Sequence, residues 1–350
     1  MVGKKLPAAV FLNMNDWGYF LQEFSRKNMD YFKQNISKIK SPLTRAQIWY
    51  HVSTYGTESA ISGFEQLDMI RRAIQHEDDT QLVSGMFNML KELIWNVFPY
   101  DMRDSLTDEF FQLIRTNLLP KYAGDTSSKG KAMVNLLLLG LVDFVSSKKT
   151  VGIAVRWLKK EEPILEEEGK EELTFSQKAR RTLIRKIWKS RDVPRELKTE
   201  LLEAEIKGDE SDDAEKLQAY CEAAQPIAEI KKAVFESTTD IKDKRSQHLR
   251  NAAMAGFQDW REREMLEEFV DKWFEIIIPT FKNGERRFAE AVFYNLRPSN
   301  IVKTPEILAK YKSLQAKIGD DQKYFKKLLS DTIENLEAVL KQIELVQKDV

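Results

Sequence analysis

The sequence has few of the features that would assign it to a compartment or to a charged partner. Its 350 residues include a single cysteine, Cys221, so no internal disulfide can form and nothing indicates an oxidising compartment. Lys plus Arg number 55 and Asp plus Glu number 55, which leaves no net charge. That balance argues against a general affinity for nucleic acid or for an anionic membrane. We therefore predict a cytoplasmic protein with no nucleic-acid partner and no membrane partner.

Long hydrophobic runs are also missing. The most apolar stretch, Ala132 to Val145, is shorter than the roughly 20 residues that a bilayer-spanning helix requires, and Asn135 and Asp143 interrupt it. A buried core helix is the better interpretation. The short apolar stretch near the start is followed by Asn13, Asn15 and Asp16, which makes it a poor secretory signal.

No catalytic site is complete in the sequence. A helical zinc-protease site requires two histidines four residues apart and a glutamate after the first, so that both imidazoles reach one metal ion. His76 and Glu77 begin this pattern, but Thr80 occupies the position of the second histidine. Nucleophile-elbow, phosphate-loop and dinucleotide-binding motifs are absent as well. We predict no catalytic, cofactor-binding or metal-binding residues, and we interpret Cys221, on an apolar helical stripe, as a packing residue.

Glycine and proline are scarce, at 14 and 10 residues, and apolar residues recur every three or four positions from about Lys27 onward. Pro99, Pro120 and Pro279 each follow such a stripe and are predicted to end a helix. Helices that repeat every 15–20 residues or so, with short connections, are typical of stacked antiparallel pairs. The predicted fold is all-α, an α-solenoid of the armadillo or HEAT kind, with its concave face as the binding surface.

Two features predict the domain organisation. The run Ala8 to Leu12 is the clearest strand signal, and we assign residues 1–16 to the end of a preceding β-sandwich or a linker and residues 17–350 to the helical domain. The acidic stretch Glu161 to Glu172 is followed by the basic stretch Lys178 to Arg191, which predicts a seam near 160–175. In one interpretation both stretches face solvent and their opposite charges balance each other. In the sharper interpretation, the basic stretch forms an anion-binding wall. That wall would contain Arg180, Arg181, Arg185 and Lys186.

Four segments, in order, resemble aminopeptidase N-type zinc enzymes. They are FLNMNDWGYFLQEFSRKNMDYF from Phe11, SPLTRAQIW from Ser41, AAQPIAEIKKAVF from Ala223 and NAAMAGFQDWREREMLEEFVDKWFE from Asn251. Together they make nearly the whole chain similar to the C-terminal helical domain of that family, which implies an ERAP1-like α-solenoid. One departure is Gln225-Pro226, where the family has Arg-Pro, so an arginine contact expected there is in doubt.

The resemblance implies a non-catalytic domain that caps the active-site chamber and binds the peptide substrate beyond its N-terminus. The family's zinc motif, its third ligand and its Gly-x-Met-Glu-Asn loop lie before this domain and are missing here, so zinc is expected only in a missing catalytic domain. The implied partners are a peptide and that catalytic domain.

The candidates for holding the peptide's C-terminal carboxylate through a charge-assisted contact are Arg250, Lys272 and Arg297. For each of them, the competing interpretation is an exposed surface charge. The alternative function is a stand-alone α-solenoid scaffold that binds a protein partner in its groove and has no peptidase activity.

Overall fold

A computed structural model describes residues 7–57, 61–165 and 173–349, apart from positions 14, 16, 19, 21 and 23. Contacts between Cα atoms divide the chain into two compact units. The first comprises Met1–Arg103, Asp125–Gly140 and Ala338–Val350, and the second comprises Asp104–Gly124 and Leu141–Glu337. The boundary at residue 16 and the seam near 160–175 stay predictions, and positions 166–172 of that seam lie outside the described residues.

The described residues form helices and connecting turns without a β-strand, which confirms the all-α prediction. In chain order the α-helices are α1 (Arg26–Asn35), α2 (Pro42–Thr57), α3 (Gly63–Ala73), α4 (Thr80–Glu92), α5 (Tyr100–Gln112), α6 (Leu119–Tyr122), α7 (Ser128–Asp143), α8 (Lys148–Leu158), α9 (Gln177–Lys189), α10 (Arg195–Ile206), α11 (Asp212–Ala224), α12 (Ala228–Thr239), α13 (Gln247–Phe257), α14 (Arg263–Leu266), α15 (Glu268–Asn283), α16 (Arg286–Leu296), α17 (Pro305–Ala316) and α18 (Lys323–Asp349). In the part of the chain that is described, none of these helices is both long enough and apolar enough to cross a bilayer.

The strand expected at Ala8 to Leu12 does not form. A strand requires a neighbouring strand to pair with its backbone groups, and here a side chain supplies the partners. Gln22 accepts a hydrogen bond from the Leu12 N–H at 2.8 Å and donates one to the Val10 carbonyl at 3.2 Å. The amide of Asn28 also donates to Val10, at 3.3 Å. The prediction of a strand remnant was therefore wrong for these residues.

Proline ends a helix at only one of the three predicted positions. A π-helical turn, Leu93–Val97, closes the helix before Pro99, and α5 begins immediately after it. Pro120 instead lies in the first turn of α6, which follows a second π-helical turn, Leu113–Leu118, without a break. Pro279 lies inside α15, which continues to Asn283. Burial of Trp273 and Ile277 on that helix offsets the single backbone hydrogen bond that a proline removes.

In the first unit, a buried ion pair joins the start of α2 to the turn before α4. The guanidinium of Arg45 donates two hydrogen bonds of 2.7 Å to the carboxylate of Glu77, and both residues are almost fully buried. Arg45 also donates to the carbonyl of Ile39 at 2.7 Å, and Glu77 accepts from the backbone N–H groups of Asp78 and Asp79 at 3.1 Å. Because both charges are fully hydrogen-bonded, their burial is tolerated.

The second unit contains a row of stacked helices. Along the row α9 packs on α11, α11 on α13 and α13 on α16, while α10, α12 and α15 pack beside them. The C-terminal ends of the row lie side by side, since the Lys189 amine donates to the Gln258 carbonyl at 2.8 Å and the Gln258 amide donates to the Arg297 carbonyl at 3.3 Å. Packing of α9 on α11 and of α11 on α13, with one helix between them in the chain each time, is the arrangement expected for stacked helix pairs. Cys221 is fully buried in this row beside Leu217 and Trp188, as a packing residue.

Gly256 determines how closely α11 and α13 approach. A Cβ atom at this position would lie 2.3 Å from the backbone oxygen of Tyr220 and 3.2 Å from the Cβ atom of Ala223. Backbone oxygen cannot move aside as a flexible side chain can. The close approach therefore requires glycine at this position.

Lysine side chains are buried in the same row, where they bind helix ends. Lys231 of α12 has no exposed surface, and its amine donates to the carbonyls of Ala223 at 2.9 Å and Gly256 at 3.4 Å, in the last turns of α11 and α13. Lys198 of α10 donates to the carbonyls of Trp188 at 3.2 Å and Ser190 at 2.5 Å, at the end of α9. Burial lowers the pKa of the Lys231 amine to about 7.

The basic stretch of α9 does not present one continuous anion-binding wall. Arg180 pairs with Glu205 of α10 at 2.8 Å, and Arg181 pairs with Glu205 at 3.5 Å and with Asp209. Arg185 lies 5.2 Å from the ring centroid of Tyr220. Lys186, the fourth residue of the expected wall, donates to the carbonyl of Asp143 at 2.9 Å. The side chains of this wall are thus directed to carboxylates, a ring and a helix end of the second unit.

The substitution Gly256→Ala is expected to lower the free energy of unfolding by about 2 kcal/mol, because the added methyl group overpacks the contact between α11 and α13. The matched control is Gly152→Ala in α8, where the nearest atom is the end of the Arg156 side chain at 3.7 Å. That control is expected to raise stability by up to about 1 kcal/mol through helix propensity. Urea unfolding measures the free energy of unfolding of both variants. Equal changes in the two variants would contradict the argument that the close contact at position 256 requires glycine.

Replacing Lys231 tests its buried amine. The folded-state pKa of about 7 lies below the ordinary value of 10.5, so between these pH values the unfolded chain binds a proton that the folded chain has lost. The stability of the wild type relative to Lys231→Met should therefore rise with pH across this window, by at most about 1.4 kcal/mol per pH unit, and stay level below it. Urea unfolding across the pH range checks this, and a difference independent of pH would refute it.

Candidate functional site

A polar groove lies between α13 and α16 in the second unit. Its volume is about 460 Å³. The residues that line this α13–α16 groove are Gln247, His248, Asn251, Glu285, Arg287, Glu290, Ala291, Tyr294 and Asn295.

The sequence places polar side chains in the groove because each helix buries its opposite face. On α13, Met254 and Phe257 are buried, and Ser246 caps the first turn by accepting a hydrogen bond from the Leu249 N–H at 3.3 Å. On α16, Phe288 and Val292 are buried in the same way. With 3.6 residues per turn, polar positions one turn apart then line up on the remaining face.

Three carboxamide side chains contribute hydrogen-bonding groups to the groove. The amide of Gln247 donates to the side-chain oxygen of Asn251 at 2.6 Å, and the amide of Asn295 donates to the carbonyl of Ala291 at 2.8 Å. A carboxamide carries both a donor and an acceptor, the same two groups that each peptide unit presents. The groove therefore has the chemistry to pair with an extended main chain.

Charges of both signs border the carboxamides. Glu285 and Glu290 lie in the groove with Arg287, and Arg286 donates to Glu290 at 2.8 Å. Hydrogen bonds from Tyr324 and Arg286 hold the pKa of Glu290 below its usual value. This mixture suits a chain with a neutral backbone and one charged end better than it suits a polyanion.

Of the three predicted peptide-binding residues, Arg250 lies on α13 and Arg297 directly follows the last residue of α16. Arg250 is buried behind the groove, with its guanidinium 4.1 Å from the ring centroid of Phe288 on α16. It donates to the carbonyls of Thr238 at 3.0 Å and Asp240 at 2.7 Å, at the end of α12. These contacts commit much of its hydrogen-bonding capacity within the chain.

Arg297 and Lys272 differ in their relation to the groove. Arg297 follows the last residue of α16, and its guanidinium lies 5.7 Å from the ring centroid of Tyr294, a groove residue that is 48% exposed. Lys272, on α15, pairs with Glu268 one turn earlier at 2.8 Å, and neither Lys272 nor Arg297 is among the residues that line the groove. The fold thus brings Arg250 and Arg297 to the α13–α16 pair and leaves Lys272 elsewhere. Peptide binding by all three stays a prediction.

Sequence reasoning missed the carboxamides of the groove. The available signal was weak, because Gln247 and Asn251 are one turn apart on a helix, and Asn295 is more than 40 positions further along the chain. Only the packing of α13 on α16 brings the three together.

The positions that suggested a zinc site do not lie on one helix. His76 lies beyond the end of α3, whereas Thr80 is the first residue of α4. Glu77, between them, pairs with Arg45. Within the described part of the chain, no three His, Cys, Asp or Glu side chains are grouped so that they could hold a metal ion.

The fold defines an all-α chain with a row of stacked helix pairs and a polar groove between two members of the row. The chain belongs to the family of ERAP1-like C-terminal domains, which it matches over residues 9–338. This match confirms the family predicted from the four sequence segments.

A distant relative supports a connection with aminopeptidases. The chain is 20% identical over 307 residues to aminopeptidase N of Streptomyces lividans. The matched region covers 85% of this chain and 33% of that protein. The chain therefore spans about a third of the length of the curated relative that it matches.

Because Arg250 is buried and Lys272 is exposed, we expect their replacement to change the free energy of unfolding by different amounts. Arg250→Met leaves the Thr238 and Asp240 carbonyls unpaired and should lower the free energy of unfolding by about 2–3 kcal/mol. Lys272→Met removes an exposed pair and should change it by less than about 0.5 kcal/mol. Urea unfolding of the two variants tests this; a mild effect of Arg250→Met would show that its carbonyl contacts are not structural.

Proposed function

We propose that this chain serves as the non-catalytic C-terminal domain of a zinc aminopeptidase, where it caps the active-site chamber and binds the peptide substrate beyond its N-terminus. Membership of the ERAP1-like C-terminal domain family over nearly the whole chain is the observation that carries this proposal. The zinc ion and the bond-breaking chemistry belong to the catalytic part of such an enzyme. The chain itself contributes substrate binding and enclosure, acting in the cytoplasm.

The α13–α16 groove is the proposed peptide site. Its carboxamides on Gln247, Asn251 and Asn295 pair with the N–H and C=O groups of an extended substrate. Such contacts are indifferent to side-chain identity, which suits a domain that must accept many peptide sequences. The half-exposed ring of Tyr294 offers an apolar surface for a substrate side chain.

Arg297 is the proposed contact for the C-terminal carboxylate of the peptide. It lies next to the groove through Tyr294, and a guanidinium can donate two parallel hydrogen bonds to a carboxylate. Arg250 supports the groove from behind through its contacts with Phe288 and the end of α12. Lys272 is the weakest of the three candidates, since it is paired with Glu268 on α15.

Peptide binding is tested on the full chain with a short fluorescent peptide in two forms, one with a free C-terminal carboxylate and one with a C-terminal amide. The amide form should bind about tenfold more weakly, because it lacks the charge-assisted contact, worth about 1.4 kcal/mol. Arg297→Met should abolish this difference, whereas Asn251→Ala should weaken both forms alike. Fluorescence polarisation measures the six affinities of the wild type and these two variants for the two peptide forms.

The matched control is Lys310→Met, which removes a half-exposed cation of α17 that pairs with Asp271. It should leave both affinities unchanged, and circular dichroism verifies that each variant is folded. Equal affinity of the wild type for the two peptide forms, or no binding of either, would contradict the proposed function.

A further inference from the structure

A histidine without a hydrogen-bond partner at one ring nitrogen is buried in the first unit. His51 lies on α2 and is only 3% exposed. Its Nδ1 atom has no hydrogen-bond partner among the described residues. Burial of this kind penalises the charged form of a histidine, so the ring is held uncharged.

Aromatic rings from residues 7–25, which we call the 7–25 segment, cover this imidazole. The ring centroids of Phe11 and Phe24 lie 6.0 and 5.3 Å from that of His51, in edge-to-face arrangements. The ring of Phe24 is itself buried and lies 5.1 Å from Phe32 of α1. Part of the burial of His51 therefore depends on the 7–25 segment remaining docked.

Side-chain hydrogen bonds join the 7–25 segment to the two neighbouring helices. The amide of Gln47, one turn before His51 on α2, donates to the Asn13 carbonyl at 3.0 Å. The amide of Asn28 on α1 donates to the Val10 carbonyl at 3.3 Å, at a site that is exposed to solvent. Solvent-exposed hydrogen bonds are typical of segments that open by local unfolding.

Charged groups of the surrounding elements leave the imidazole uncompensated. The described residues of the 7–25 segment carry no charged side chain, and Asp16 and Glu23 lie outside the described residues. Tyr50, which also faces the ring at 5.7 Å, is 66% exposed. The ion pairs of α1 and α2 are Arg26 with Asp30 and Glu65, Lys33 with Asp30 and Glu65, and Arg45 with Glu77. Burial lowers the pKa of His51 below its ordinary value of 6.5.

Protonation has different consequences in the docked and released states of the 7–25 segment. A protonated imidazole carries a positive charge and an N–H group on each ring nitrogen. In the docked state the N–H group at Nδ1 would find no acceptor among the described residues, whereas water supplies one after release. Protons therefore bind more tightly to the released state, and by linkage a fall in pH favours release.

From this geometry we infer that the 7–25 segment is an acid-released cover of α2, with His51 as the group that responds to pH. At neutral pH the imidazole is uncharged, and the rings of Phe11 and Phe24 stay packed on it. On acidification the segment leaves α2, and the exposed imidazole takes up a proton from water. The inference concerns the first unit alone and does not rest on the proposed function, whose groove lies in the second unit.

Hydrogen exchange of the full chain between about pH 8 and about pH 5, a range that brackets histidine titration, tests the release. After correction for intrinsic exchange rates, protection of the 7–25 amides should be level above about pH 7. Below about pH 6.5 it should fall by up to about tenfold per pH unit, because each proton bound on release shifts the equilibrium by that factor. Fragments from α11 in the second unit are the internal reference and should keep their protection.

Two matched variants identify the responsible group. His51→Phe keeps an aromatic ring that cannot be protonated, so it should abolish the pH dependence of protection. His76→Phe makes the same change at an exposed histidine of the first unit and should leave the pH dependence as in the wild type. Proton NMR of the wild-type His51 imidazole gives a readout that does not require a variant to fold. Its signal should titrate only over the pH range in which the 7–25 segment loses protection.

Several results would overturn the inference. Protection of the 7–25 segment that is independent of pH, or an equal pH dependence in His51→Phe, would show that His51 does not control release. An imidazole that titrates while the segment stays protected would show that protonation and docking are compatible. Simultaneous loss of protection in α11 would show that acid unfolds the whole chain instead of releasing one segment.

Discussion

The carbonyl groups at the C-terminal ends of the stacked helices need partners that the helices themselves cannot supply. The last four carbonyls of a helix have no intrahelical donor and carry partial negative charge. Glycine in a left-handed conformation often satisfies them, but glycine is scarce here, and the residues that end α9, α11, α12 and α13 are extended and are not glycine. Lysine and arginine side chains from elsewhere in the unit take this role. Lys198 binds the end of α9, Lys231 binds the ends of α11 and α13, and Arg250 binds the end of α12.

This use of cations changes how two of the basic residues are interpreted. Arg250 was a candidate for the peptide carboxylate, and Arg181 for an anion-binding wall, yet both are buried and paired within the second unit. The α13–α16 groove combines three neutral carboxamides with side chains of both charge signs. A groove of this kind discriminates by main-chain geometry and by the charge at the end of a ligand. That property matches the broad substrate range implied by the proposed role.

The two units present different chemistry at their surfaces. In the second unit, hydrogen-bonding side chains of both charge signs line the α13–α16 groove, which is the proposed peptide site. In the first unit, the strongly exposed side chains Trp17, Leu12 and Tyr50 are apolar.

The sequence by itself determined that the chain is helical, which family it belongs to and that it carries no complete zinc motif. Each of these depends on local patterns: the spacing of apolar residues, short ordered segments and the residue at position 80. Tertiary structure decided the rest. Pro279 continues a helix because Trp273 and Ile277 are buried, and the segment at Ala8 to Leu12 is not a strand because Gln22 takes its hydrogen bonds. The groove depends on residues more than 30 positions apart, so no local pattern could reveal it, whereas burial and packing between distant helices did.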